Sequence, residues 1–158
     1  MQKITPHTRI AELEKICMDH PWNEQQIRSE LESPFNLTLI ASAKGEIVNL
    51  SSDPEHPEDV CGYLIALILP YEKAAEILRI GVLPENRRTG LARRLLKVLE
   101  KTLTNTRELL LEVSEKNEGA IHFYESYGFT RIGKRKKYYR DGSDALLMKK
   151  IIETVQYP

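Results

Sequence analysis

The chain has only two cysteines, Cys17 and Cys61, among 158 residues. They form no C-x-x-C pair, and the four histidines stand apart at positions 7, 20, 56 and 122. This pattern excludes a zinc cluster and a disulfide framework. No metal is expected, and both thiols are expected to be reduced, as in the cytoplasm. Long apolar runs are lacking too. None approaches the ~18 residues of a membrane span, and Met1-Gln2-Lys3-Ile4-Thr5-Pro6 has no apolar leader core. There is no excess charge of either sign, since Lys plus Arg and Asp plus Glu number 23 each. That balance argues against direct nucleic-acid binding and against a membrane-surface role. Two phosphate-binding fingerprints are missing, G-x-x-x-x-G-K-[ST] and G-x-G-x-x-G. No internal repeat stands out.

What is present reads as a single domain over residues 1–158, with 41% hydrophobic and 29% charged residues. Thr8 is expected to cap a first helix with Ile10, Leu13, Ile16 and Cys17 on one face. Asn23 with Gln26 resembles a capping box, with Trp22 and Ile27 placed as a hydrophobic staple, and Pro34 ends that helix. Strands are expected at Phe35–Ala43, Glu46–Leu50, Val60–Leu69 and Ala75–Val82. The polar segment Ser51–Asp59, with two prolines, reads as a mobile loop. Leu91–Leu103 reads as an amphipathic helix with Leu91, Leu95, Leu96, Leu99 and Leu103 inward. Glu108–Val113 is a strand, and Asn117 and Gly128 bracket a fourth helix. Phe129–Tyr139 and Ala145–Ile151 form a closing hairpin. The order ααββββαβαββ implies an α/β (α+β) fold with helices on a largely antiparallel sheet.

The most informative stretch is Arg87-Arg88-Thr89-Gly90-Leu91-Ala92. A strand precedes it and a helix follows it. A helix N-terminus offers unpaired N–H groups and the positive end of the helix dipole, which suit a phosphate or pyrophosphate. Gly90 allows close backbone approach. Arg87, Arg88, Arg93 and Arg94 add positive charge around this turn. The alternative is an ordinary strand–helix turn with solvated arginines.

Two further residues stand out. Glu112 shares a face with Leu110 near the end of an apolar strand, where a carboxylate is costly to bury without a partner or a purpose. The plainer reading is a strand-end Glu that reaches solvent. Tyr124 lies on the sheet-facing side of the fourth helix, either as an ordinary core tyrosine or as a positioned hydroxyl. Lys134–Lys137 reads as a solvated strand edge or as a patch for an acidic partner or RNA. His122 reads as a surface or semi-buried helix residue rather than a ligand.

Arg-Arg-Thr-Gly-Leu-Ala fits the [QR]-x-x-G-x-[GA] acetyl-coenzyme-A signature. Asn117 to Phe129 fits N-x-x-A-x-x-x-Y-x-x-x-G-F. Together they resemble the GNAT superfamily of N-acetyltransferases. Pro21-Trp22, Glu112-Val113 and Lys137-Tyr138-Tyr139-Arg140-Asp141-Gly142-Ser143-Asp144-Ala145 resemble its RimI-like, protein N-terminal branch. The resemblance runs from about His20 to Lys149, and the main departure from the pattern is the longer Ser51–Asp59 connection.

The resemblance implies a sheet with splayed central strands and about four flanking helices. It implies acetyl-CoA as donor, with pantetheine along Ile80-Gly81-Val82 and pyrophosphate on Arg88, Thr89, Gly90, Leu91, Ala92 and Arg93. Asn117 is implied as a cofactor contact, Glu112 as general base and Tyr124 as general acid. Pro21, Trp22, Tyr138 and Tyr139 would rim a peptide slot, or else pack peripherally. The implied acceptor is a protein N-terminal α-amine, with the N-terminal alanine of a small-subunit ribosomal protein as precedent. A monomer is expected. An α-amine has a pKa near ~7.7–8.0, against ~10.4 for lysine, so one weak base can supply the neutral nucleophile. A tyrosine hydroxyl can protonate the leaving thiolate. Direct attack needs no covalent enzyme intermediate, so Cys17 and Cys61 are core thiols. The rivals are a GNAT acting on lysine side chains or a small amine, and a non-catalytic acyl-CoA-binding module. A pure binder would need neither Glu112 nor Tyr124.

Overall fold

The computed structural model describes residues 3–50 and 57–152. Four helices are present: α1 (Pro6–Cys17), α2 (Glu24–Glu32), α3 (Leu91–Thr102) and α4 (Glu118–Tyr127). Seven strands accompany them: β1 (Asn36–Ser42), β2 (Ile47–Asn49), β3 (Val60–Leu69), β4 (Ala74–Val82), β5 (Glu108–Ser114), β6 (Thr130–Arg135) and β7 (Ala145–Ile151). The strands hydrogen-bond in the order β2-β1-β3-β4-β5-β7-β6. The β1–β2, β1–β3, β5–β7 and β6–β7 pairs are antiparallel, and β4–β5 is parallel. This is the mixed, largely antiparallel α/β architecture expected from the sequence.

The chain divides into two compact units. The first gathers residues through Leu67 with Arg79–Leu103. The second gathers Ile68–Leu78 with the residues from Thr104 onward. In the first unit, Ile10, Leu13, Ile27, Leu39, Ile40, Leu64, Leu95, Leu96 and Leu99 are fully buried. In the second, Leu109, Leu111, Phe129, Leu146 and Met148 form the core, supplied by alternate residues of β5, by β7 and by the residue just before β6.

Local rules explain most element ends. Asn23 accepts from the Gln26 N–H while the Gln26 side chain accepts from the Asn23 N–H, a closed capping box. Gly128 ends α4 with φ +115°, a conformation that costs glycine little. The first helix differs from expectation. Thr5, not Thr8, is its cap, and Pro6 occupies the first turn, where a missing N–H costs nothing. Its inner face is Ile10, Ala11, Leu13 and Glu14, while Ile16 is 56% exposed. Leu103 lies just past the end of α3 and is only half-buried. Strand β6 stops at Arg135, four residues short of Tyr139, because the chain there enters a turn that β7 does not pair with. Of the segment Ser51–Asp59, residues 51–56 lie outside the described residues, and Pro57–Asp59 form a short 3-10 turn.

One ladder is incomplete. The β4–β5 register runs from Ala74↔Glu108 to Ile77↔Leu111 and stops there. Yet β4 continues to Val82 and β5 to Ser114. That is the splay the family resemblance implies.

Candidate active site

In the first unit, β4 runs through Ile80, Gly81 and Val82 into a short 3-10 turn, Pro84–Asn86, and then to Gly90. Thr89 Oγ1 donates to the Asn86 carbonyl at 2.7 Å, and Arg87 Nε donates to the Val82 carbonyl at 2.9 Å. These bonds brace the turn from both sides. Arg88 takes φ +62° and Gly90 φ +80°. Gly90 is the N-cap of α3 and has no side chain to cap it, so the first-turn N–H groups of Leu91, Ala92 and Arg93 meet no capping side chain. A Cβ added at Gly90 would meet no protein atom within 4 Å. Glycine is therefore needed here for its backbone angle and for open approach, not for packing. An uncapped helix start with open space before it fits a pyrophosphate.

The four arginines do not act as one cluster. Arg87 is bound to the Val82 carbonyl, and Arg94 Nη2 donates to the Gly45 carbonyl at 2.6 Å, bracing the β1–β2 turn. Among the described residues, no hydrogen bond or ion pair holds the exposed Arg88. Gly81 is constrained differently: a Cβ there would come within 2.7 Å of the Tyr63 ring. Pro21 is exposed and Trp22 half-buried in the α1–α2 connection, with Arg79 Cζ 4.3 Å above the indole. Cys17 Sγ donates to the Val82 carbonyl at 3.4 Å, and burial raises the pKa of both Cys17 and Cys61. Neither thiol has the depressed pKa of a nucleophile.

In the second unit, Glu112 points from β5 to the same face as Leu110, while Leu109, Leu111 and Val113 face the core. It is not simply a solvated strand end. Arg135 Nε lies 2.7 Å from Glu112 Oε1, with side-chain exposures of 59% and 20%. With the arginine so exposed, the pair adds about 0–1 kcal/mol of stability at most; its effect is to orient the carboxylate. Arg135 lies 5.9 Å from the Tyr138 ring centre, and Tyr138 packs edge-on against Tyr139 at 5.1 Å.

Tyr124 follows on α4. It is 8% exposed, with ring contacts to Phe129 at 5.6 Å and Phe123 at 5.3 Å. Burial, and then the neighbouring Tyr139, push its pKa above the ordinary tyrosine value. Among the described residues its hydroxyl makes no hydrogen bond, yet it is not one of the buried unsatisfied atoms, so the ring is packed while the oxygen stays accessible. Glu112, Arg135, Tyr138, Tyr139 and Tyr124 thus run in sequence through one unit. Asn117 Oδ1 caps α4 by accepting from the Ala120 N–H at 3.1 Å, which commits its oxygen and leaves its amide N–H groups as donors.

Two aspartates shape the tyrosine loop. Asp141 Oδ1 accepts from Ser143 N–H at 2.9 Å and from Ser143 Oγ at 2.5 Å, and these bonds hold its pKa at about 2. Asp144 Oδ1 accepts from the Lys137 N–H at 2.9 Å. Spacing alone does not reveal that role. Sequence reading also missed Glu76 and Arg135. Glu76 is in register with Leu110, so it shares the Glu112 face, and burial and then Glu112 raise its pKa. Arg135 looked like part of a solvated basic run. Only the pairing Arg135↔Ala145↔Ser114 brings it to Glu112. His122 is exposed on α4, as expected.

Among the described residues there is no cluster able to hold a metal and no helix long and apolar enough to cross a membrane. The Acetyltransferase (GNAT) family matches residues 7–129. The N-alpha-acetyltransferase RimI of Mycobacterium tuberculosis is 33% identical, over 90% of this chain and 84% of that protein. The ribosomal-protein-S18-alanine N-acetyltransferase of Escherichia coli superposes with a TM-score of 0.73 at 24% identity, over 96% of this chain and 92% of that one. Arabidopsis thaliana NAA60, solved with acetyl-CoA, gives 0.74 at 17% identity, over 93% of each chain. The uncapped turn, the oriented carboxylate and the unbonded tyrosine therefore sit in a chain that belongs to the GNAT acetyltransferase family.

Proposed function

We propose that the protein transfers the acetyl group of acetyl-CoA to the N-terminal α-amine of a protein. The observation that carries this reading is Tyr124, whose ring is packed in the core while its hydroxyl makes no hydrogen bond among the described residues, with Tyr139 as its electrostatic neighbour and Tyr138 linking that loop to the Glu112–Arg135 pair. A proton donor needs a hydroxyl that no protein acceptor already holds, on a side chain whose ring is fixed by packing.

Acetyl-CoA supplies an activated thioester. The first-turn N–H groups of Leu91, Ala92 and Arg93, with Arg88 and Thr89, would hold its pyrophosphate, and the Ile80–Val82 backbone its pantetheine. Asn117 keeps amide donors for the same ligand. Glu112, with Oε1 held by Arg135, accepts the amine proton through Oε2 or a water. Tyr124 gives its proton to the departing thiolate, and its raised pKa keeps that proton in place until then. Pro21, Trp22, Tyr138 and Tyr139 flank the acceptor peptide. The names of the M. tuberculosis and E. coli relatives support an α-amine acceptor, and the latter supports a ribosomal protein with N-terminal alanine. Such an acceptor places the reaction in the cytoplasm.

The test is purified protein with acetyl-CoA and a panel of peptides, read by thiol release and product mass. Peptides with a free N-terminus and a small first residue are expected to be acetylated there, and blocking that amine to abolish transfer. Acetyl groups on lysine Nζ, or on polyamines but not on peptides, would overturn this reading.

A further inference from the structure

The deepest polar group in the first unit lies outside the machinery just described. Glu14, on α1, is 0% exposed. A buried carboxylate is expensive unless its oxygens are satisfied. Both are. Oε1 accepts from the Tyr63 hydroxyl at 2.5 Å and lies 3.5 Å from Arg79 Nε. Oε2 accepts from the Trp22 N–H at 2.8 Å. Arg79 then reaches the same connection twice more. Its Nη2 donates to the His20 carbonyl at 3.1 Å, and its guanidinium lies 4.3 Å above the Trp22 ring.

Three of these contacts end on residues 20–22, between the end of α1 at Cys17 and the Asn23 cap of α2, and the other two join Tyr63 and Arg79 to Glu14. A buried ion pair contributes little net stability compared with apolar residues of the same size; what it can specify is a unique conformation. Here that conformation belongs to the α1–α2 connection. Tyr63 ties it to β4 as well, because its ring occupies the space that a Cβ on Gly81 would need.

We propose that Glu14, with Tyr63 and Arg79, is a positioning device that sets the α1–α2 connection for the acceptor peptide. This rests on the acceptor role proposed above for Pro21 and Trp22. None of the three residues touches the reacting atoms. Glu14 holds the Trp22 backbone, Arg79 holds the His20 carbonyl and the indole, and Tyr63 holds Glu14.

Trp22 is the one tryptophan in the chain, so its fluorescence reads this connection directly, whatever the protein acetylates. The variants are Glu14→Gln, which keeps the shape but not the charge, and Arg79→Lys, which keeps the charge but not the planar fork. Melting curves confirm that each is folded. Both are expected to about double acrylamide quenching of Trp22, as a loosened segment would. Both are also expected to raise the peptide KM about tenfold, with kcat within about threefold and the acetyl-CoA Kd unchanged, the signature of lost acceptor binding alone. Unchanged quenching in both folded variants would show that the network does not hold the connection. Raised quenching with an unchanged peptide KM would show that the connection does not position the acceptor. If the wild-type protein acetylates no peptide N-terminus while quenching still rises, the functional reading fails, the acceptor part of this inference fails with it, and only the clamp remains.

Discussion

Replacing Tyr124 with phenylalanine removes one oxygen and leaves the ring where it is. The ring contacts to Phe129 and Phe123 persist, because they involve no hydroxyl. No hydrogen bond among the described residues is lost, so the usual penalty for orphaning a buried partner does not arise. Removing an accessible hydroxyl that makes no protein hydrogen bond should leave stability within about 1 kcal/mol of wild type, a Tm change of no more than about 4 °C at this chain length. Catalysis should respond far more strongly. A general acid contributes about 10²-fold or more, so kcat should fall by about that factor, about 2.7 kcal/mol in the barrier. The raised pKa adds a condition on pH. Tyr124 stays protonated past the ordinary tyrosine value, so the wild-type rate should show no loss from its ionisation up to about pH 10. The assay is single-turnover thiol release with acetyl-CoA preloaded, beside calorimetric unfolding. A variant that melts normally yet turns over within threefold of wild type would refute the reasoning and return Tyr124 to the core.

Other outcomes follow from the same geometry. Gly90→Ala meets no atom, so its cost is backbone strain of about 1–2 kcal/mol at φ +80°, read by Tm; calorimetric titration should show the acetyl-CoA Kd rising about tenfold as the methyl group enters the ligand's approach. Glu112→Gln should lower kcat by about 10²-fold with little change in acetyl-CoA affinity, and equal turnover would remove it as the base. Gly81→Ala forces a methyl group to within 2.7 Å of a ring that is itself pinned by Glu14, so unfolding should show a loss of about 1–3 kcal/mol. Asp141 has its pKa lowered to about 2, so the loop stabilisation it provides is complete above the unfolded value near ~3.9 and disappears as pH falls toward 2. Tyrosine ring signals of the 138–139 segment, followed by NMR from pH 5 to about pH 2, should shift in wild type and lose that step in Asp141→Asn.

Features governed by neighbouring residues were legible in the sequence. The Asn23 capping box, the Gly128 terminus and the strand–Gly90–helix turn each depend on a few adjacent positions, and the structure places all three as expected. Strand β7 matches its expected bounds because apolar alternation and the Gly142 turn delimit it. Features governed by distant partners were not legible. Hydrophobic periodicity put Ile16 on the inner face of α1, but Glu14 holds that face, because its partner Tyr63 lies 49 residues away. Arg135 looked like one of four solvated cations until two strand registers carried it to Glu112. Glu76 carried no signal of its own, since a Glu in a strand acquires meaning only from the residue beside it in the sheet.

The β4–β5 ladder that stops at Ile77↔Leu111 has an evolutionary consequence. Past that point, among the described residues, β4 has no β5 partner for its main-chain donors and acceptors. A ligand read by those groups is recognised by backbone shape, and amino-acid identity matters at Ile80 and Val82 only through packing. Under the function proposed above, donor preference should survive wide sequence drift along this strand, while the residues proposed to flank the acceptor, on the α1–α2 connection and the tyrosine loop, are free to change independently. A lineage can acquire a new acceptor without relearning its acetyl donor.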